Sequence, residues 1–328
     1  MVRGACLYFH SPCLDGIASS VLTLDFLETV QNWTFNELRT VDYDQRKSWL
    51  SEKHTSPFAV VDFLYHPAAE FWADHHQTSF LRPDLKNRFA EQKNAFHIYD
   101  SKSSSCAMLL WRVLQRRFKY RNSRYAELVS GADKIDAARY SSVEEAIHGS
   151  HPALNINRSL ATNKDPDYPV WLVTRLRRES LEKVGCSPEA VEKSNEAHAL
   201  IAAGLDRLSK AVHLDDANIA VFDVDSSGVL VNRYAPYHFF PKARYSLGIV
   251  RSPNCTKIRA MKNPWRHFPS VYLGKLFERF GGGGHRRVGS VLLRGADAQN
   301  AEQVLRRLLD EIRKEDKAES SNKKRVAA

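Results

Sequence analysis

The sequence predicts an α/β protein with an N-terminal domain on a mainly parallel sheet, a helical linker, and a smaller C-terminal α/β domain. Three observations carry this. Short apolar runs alternate with helix-period stretches in the order β-α-β-α-β-β near the start, the pattern of a mainly parallel sheet flanked by helices. Residues from about 141 to 213 keep helical periodicity with no strand between them. From Asn218 onward strands return, with turn signals such as Asp225-Ser226-Ser227-Gly228. A chain of 328 residues is long enough for two hydrophobic cores. The expected division is 1–140, a linker at 141–215, a second domain at 216–314, and a tail at 315–328. That tail is charged and lacks aromatic residues, so disorder is expected there.

In order, 5–10 reads as a buried strand ended by His10-Ser11-Pro12. A helix opens at Asp15-Gly16, with Ile17, Val21, Leu24, Phe26 and Leu27 as its apolar stripe. Asp15 stands where backbone N–H groups favour a carboxylate, so helix capping is its ordinary role. Strands follow at 33–41, 57–62 and 71–75, with a short polar helix at 44–53. Residues 82–95 are polar and read as loop, and 96–99 as one more strand. Three serines, Ser103 to Ser105, precede an apolar helix at 106–118, where they are natural caps. A helix at 125–134 runs into Asp133 and Asp136. In the second domain strands are expected at 218–224, 229–232, 244–251, 257–261 and 288–293. Helices are expected there at 272–280 and 298–314.

Composition narrows the function classes. Net charge is +10 with a pI near 9.3, which suits a polyanionic partner such as nucleic acid or nucleotides. No apolar run approaches a membrane span, and the N-terminal stretch 1–10 is too short for a signal peptide. Five scattered cysteines, an odd number without a CxxC pair, favour a reducing compartment and speak against a disulfide framework or zinc knuckle. A cytoplasmic location is expected.

Chemistry collects at the ends of predicted strands and helices. Phe71-Trp72-Ala73-Asp74-His75-His76 sets a carboxylate beside two imidazoles. On a strand Asp74 and His76 share one face and His75 takes the other; past a strand end they sit where α/β sheets hold ligands. His10 with Asp15, Asp62, and Asp133 or Asp136 fall at other such ends. Carboxylates with imidazoles and no thiolate cluster suit Mn²⁺ or Mg²⁺ better than structural zinc. Gly281-Gly282-Gly283-Gly284-His285 is a second signal: glycines let backbone N–H groups approach an anion, and Arg286 and Arg287 add charge. Each acid alone is an ordinary cap or solvated residue; together they point to a site.

These stretches, with His10 to Gly16, Val60-Val61-Asp62-Phe63, Gly131 to Ala137, and Gly281 to Ser290, resemble the DHH phosphoesterases that carry a DHHA1 domain. The resemblance runs in order from His10 to about Leu293. It implies an α/β DHH domain, a helical linker and a DHHA1 domain, with hydrolysis of phosphodiester or phosphate bonds by two Mn²⁺ ions. Mg²⁺ or Co²⁺ are the alternatives. By position, His10 would bind one metal and Asp15 the other, with Asp62 bridging. His75 would bind the second, helped by Asp133 in preference to Asp136. Asp74 would orient a ligand, and His76 would face the reacting phosphate. Gly282, Gly283, Gly284 and His285 would hold the substrate, with Arg251 as a looser match.

The first motif departs from the family, which has two acids there; His10-Ser11-Pro12-Cys13-Leu14-Asp15 has one. This leaves open a weak site, an empty one, a softer metal, or completion by water. Two functions follow: a metal-dependent phosphodiesterase for short single-stranded oligonucleotides or small nucleotides, or a nucleotide-binding sensor with a degenerate metal site. No membrane partner is expected, and a homodimer is left open.

Overall fold

The computed structural model describes residues 4–54, 57–253 and 255–326, with side chains described as far as 317. The first three residues of the apolar N-terminal stretch and the last two of the expected tail lie outside these. Among the described residues no helix is long and apolar enough to cross a membrane. The chain forms two compact units, Met1–Arg139 with Ser150–Ala197, and Tyr140–Gly149 with His198–Ala328. The residues read as a linker are therefore divided between the units.

The first unit opens with β1 (Gly4–His10), α1 (Leu14–Gln31), β2 (Thr34–Val41), β3 (Phe58–Val61) and β4 (Phe71–Asp74). It continues with α2 (Pro83–Gln92), β5 (His97–Tyr99), α3 (Cys106–Phe118) and α4 (Ala126–Asp136). Its five strands are parallel in the order β2-β1-β3-β4-β5. A parallel sheet needs cover on both faces, and two apolar clusters supply it. One packs α1, α3 and α4 around Phe9, Phe26, Phe71 and Leu110. The other packs Trp49, Phe58, Tyr65 and Trp72. Every strand ends at the same edge. The order reverses between β1 and β3, the place where open α/β sheets leave a crevice for ligands.

The chain then gives α5 (Val143–His148) to the second unit. It returns to the first with α6 (Pro152–Thr162), α7 (Tyr168–Leu176) and α8 (Leu181–Gly185). Residues of α9 (Pro188–Ser209) belong to the first unit up to Ala197 and to the second from His198. The second unit continues with β6 (His213–Leu214), β7 (Ile219–Asp225), α10 (Ala235–Phe239), β8 (Tyr245–Ser252) and β9 (Cys255–Lys262). It closes with α11 (Leu273–Glu278), β10 (Gly283–His285), β11 (Val288–Leu293) and α12 (Ala301–Val326). Its mixed sheet runs β10-β11-β9-β8-β7-β6.

Three expectations change. Residues 82–95 hold a helix, α2, because Pro83 presets its first turn and Leu85 and Phe89 pack one turn apart on the second cluster. Residues 229–232 form no strand; β8 pairs with β7 and β9 instead. The expected disordered tail is helical to Val326, since α12 continues through it. Arg244 and Tyr245 hold Asp316 there, at 2.8 and 2.6 Å.

Candidate metal centre

The site is built from strand ends of the first unit. β1 stops at His10, and α1 starts four residues later with Cys13 as its N-cap, the thiol sulfur accepting the N–H of Asp15 at 3.3 Å. Gly16 makes this tight turn possible: a Cβ there would lie 2.0 Å from the His10 carbonyl oxygen. Asp15 does not cap its own helix. Its two oxygens accept the N–H groups of Cys106 and Ala107, at 2.7 and 2.9 Å, and so tie down the start of α3.

Asp62 follows β3 with φ 55°, left-handed backbone that costs a non-glycine residue about 1–3 kcal/mol. Its N–H still donates to Ala73 at 2.9 Å, so the turn is anchored to β4. β4 ends at Asp74, and His75 and His76 lie past its end. Asp74 accepts the ring Nδ1 of His76 at 2.8 Å, the N–H of His75 at 2.7 Å and the hydroxyl of Ser79 at 2.5 Å. The His75 ring rests its Nδ1 on the Ser103 carbonyl at 3.2 Å, which turns Nε2 toward the carboxylates. From Nε2, Asp136 is 3.4 Å away, Asp15 3.7 Å and Asp62 3.8 Å.

Three overlapping groups result, each with ligand atoms within 4.8 Å of one another: Asp15, His75 and Asp136; Asp62, Asp74, His75 and His76; and His10, Cys13 and Asp62. Burial, with the nearby charges of Asp62 and Asp136, holds the Asp15 carboxyl well above its usual range. Burial also pushes Asp62 upward, but His10, His76 and His75 more than offset it and hold its carboxyl low. For His76, burial opposes protonation, and Asp74, Asp62 and Asp136 outweigh it, raising the imidazole to about 10. Asp62 is 1% exposed, yet among the described residues neither of its oxygens has a hydrogen-bond partner; the nearest cation, His10 Nδ1, is at 3.4 Å, an ion-pair distance. A buried carboxylate left this way is costly. A divalent ion would satisfy it, and the oxygen and imidazole donors are those such ions take.

One expected ligand falls elsewhere. Asp133 belongs to none of these groups, because its oxygens are engaged by Ser104, Ser105 and Arg139, the last at 2.7 Å. One turn on, Asp136 faces His75 instead. Of the two acids, Asp136 is the one that lies beside His75. Asp42, unnoticed in the sequence, sits 3.8 Å from the other nitrogen of His10.

The remaining predicted residues are in the second unit. Gly283 to His285 form β10, a hairpin with β11, and Gly284 adopts φ 148° where a Cβ would meet the Val288 carbonyl at 2.3 Å. Gly282 lies just before it, against Ser290. The Arg251 guanidinium grips Asp223 through two nitrogens, at 2.8 and 2.6 Å. The cations sequence reading missed line a cavity of about 280 Å³ beside the hairpin: Arg233, Lys257 and Arg259, with Gly284, Ser246 and Ser290. Among the described residues no carboxylate lines it. Burial, then the charge of Arg233, pulls Arg259 down to about 10, the mark of a cation short of negative charge. The signal was present as Lys257 and Arg259, two apart on β9 and so on one face.

No protein-family model matches the chain, and no curated protein matches it. Solved structures do. The pGpG-specific phosphodiesterase PggH from Vibrio cholerae gives a TM-score of 0.66 at 16% identity, over 94% of this chain and 99% of that one. A DHH domain from a protein assigned to a family of ribosomal proteins gives 0.57 at 14%, over 95% and 87%. RecJ from Thermus thermophilus, in complex with Mn²⁺, gives 0.53 at 13% over 96% of this chain and 52% of RecJ, so the chain spans about half of RecJ's length.

Proposed function

We propose that this chain, which has the fold of the DHH phosphoesterases, is a metal-dependent hydrolase of phosphodiester bonds in short oligonucleotides or small nucleotides. The observation that carries the reading is the buried, unsatisfied Asp62 at the sheet's switch point, ringed by His10, Asp15, His75, His76 and Asp136. Two divalent ions, Mn²⁺ with Mg²⁺ or Co²⁺ as alternatives, would supply Lewis-acid chemistry here: activation of water and positive charge for the phosphate. Asp15, Asp62, His75 and Asp136 are the side chains to hold them, with His10 and Cys13 completing the group around Asp62. His76 is aimed by Asp74 at 2.8 Å and stands 3.8 Å from Asp62, so it is placed to meet a phosphate oxygen. In the second unit, the glycine hairpin and the basic cavity provide N–H groups and cations for a nucleotide's phosphate. PggH, alike along nearly the whole of both chains, acts on pGpG, which supports a small nucleotide over a long strand.

The test is a hydrolysis screen with Mn²⁺, Mg²⁺, Co²⁺ or EDTA against oligonucleotides of graded length, cyclic dinucleotides and 3′-phosphoadenosine 5′-phosphate. Turnover that requires metal and stops in EDTA is expected. Nucleotide binding without turnover under every metal would overturn hydrolysis and leave a sensor. Asp62→Asn, which keeps a residue tolerant of left-handed backbone, should lose Mn²⁺ binding by calorimetry along with turnover. Wild-type Mn²⁺ affinity in that variant would show that the ions bind elsewhere.

A further inference from the structure

The three groups of ligand atoms are chemically unequal. The group of Asp15, His75 and Asp136 offers two carboxylates and one imidazole. The group of His10, Cys13 and Asp62 offers one carboxylate, one imidazole and a thiol. Among the described residues the structure leaves no second carboxylate for the latter. Asp42 approaches the far nitrogen of His10 and is engaged at its own helix start, where it accepts the N–H of Tyr43 at 2.6 Å. Asp15 belongs to the other group, with His75 and Asp136.

On that side of Asp62, then, the third donor is sulfur. Cys13 is the N-cap of an 18-residue helix and receives the Asp15 N–H, the geometry that stabilises negative charge at a helix start. Cys13 is not in a disulfide. Two unsatisfied buried groups converge on the same space, Nδ1 of His10 and the carboxylate of Asp62. The ligand atoms of His10, Cys13 and Asp62 lie within 4.8 Å of one another.

Resting on the metal-centre reading above, we propose that Cys13 is a metal ligand and that the two halves of the centre differ in hardness. His10, Cys13 and Asp62 take a borderline ion, Zn²⁺, Co²⁺ or Fe²⁺. Asp15, His75 and Asp136 take a hard one, Mn²⁺ or Mg²⁺. Thiolate and imidazole favour the later first-row ions, while carboxylate oxygen discriminates least against Mn²⁺ and Mg²⁺.

The test is optical and independent of turnover. Purified, reduced full-length protein is stripped of metal and titrated with Co²⁺. A thiolate ligand produces a near-ultraviolet sulfur-to-cobalt charge-transfer band; oxygen and nitrogen ligands alone do not. The wild type should show the band and keep it when Mn²⁺ is added to equimolar concentration. Cys13→Ser, nearly isosteric, should lose the band and bind Zn²⁺ at least about tenfold more weakly, a loss that even outer partners of a metal ligand produce. Cys186→Ser, which alters an exposed cysteine in the same unit, should retain both. Cys13→Asp should lose the band and gain Mn²⁺ affinity relative to Zn²⁺. Cobalt bound without the band in the wild type, or a band that survives in Cys13→Ser, overturns the role of Cys13 while leaving the metal centre intact. No cobalt bound at all overturns both.

Discussion

Asp133 and Asp136 lie one turn apart on α4 and do different work. Asp133 is buried against Ser104, Ser105 and Arg139, so its charge is already balanced by hydrogen bonds. Asp136 turns its carboxylate to His75. Asp133→Asn should therefore lower stability by about 1–3 kcal/mol, since it leaves buried donors poorly matched, with metal affinity little changed. Asp136→Asn should do the reverse, weakening metal binding with little effect on stability. Urea denaturation and metal calorimetry on the two variants separate these roles; equal effects on both quantities would show that α4 carries no such division. The same logic explains why the motif in sequence pointed to Asp133 first. Spacing along a helix says which face a residue occupies, but not which partner has already claimed it.

At the scale of elements, the last helix shows local propensity and tertiary anchoring acting together. The stretch after 314 is rich in Lys, Glu and Ala, good helix formers, and low in the apolar residues that mark a core. Composition alone reads as disorder for that reason. Asp316 supplies the missing tie: it accepts both arms of Arg244, at 3.0 and 2.8 Å, and the Tyr245 hydroxyl. Asp316→Ala should cost about 1.5–3 kcal/mol, the range for hydrogen bonds to a charged group, and should make 315–326 the first point of proteolytic attack. An unchanged digestion pattern and unfolding midpoint would mean that this anchor contributes nothing. Helix α2 teaches the same lesson, since its polar surface hid the pair Leu85 and Phe89 that docks it.

For the molecule as a whole, acid sensitivity has a specific source in the first unit. His66 is 7% exposed among Trp49, Phe58 and His54; burial, then the charge of His54, lowers its imidazole from 6.5 to about 4. The folded state thus favours neutral His66. Its contribution is complete above pH 6.5 and is lost as pH falls from there toward 4, because the unfolded chain binds the proton first. The melting temperature should drop between pH 7 and 5, and the drop should shrink in His66→Asn, whose side-chain oxygen can still accept the Ala68 N–H. Equal pH slopes in both proteins would assign acid sensitivity to other groups.

Period and punctuation alone determined the alternating elements of the first unit, most of the strands of the second, and the residue types gathered at strand ends. Those are local properties: a buried strand needs an apolar run, a turn needs its glycine, and a parallel sheet places all its strand ends at one edge. Tertiary structure decided which end residues meet and which are spoken for. It gave Asp15 to the start of α3, Asp133 to the serines, Arg251 to Asp223, and gathered Arg233, Lys257 and Arg259 around one cavity. These are contacts across long sequence separations, where burial drives charges and donors to find partners. No motif encodes that competition, so it becomes visible only when the chain is folded.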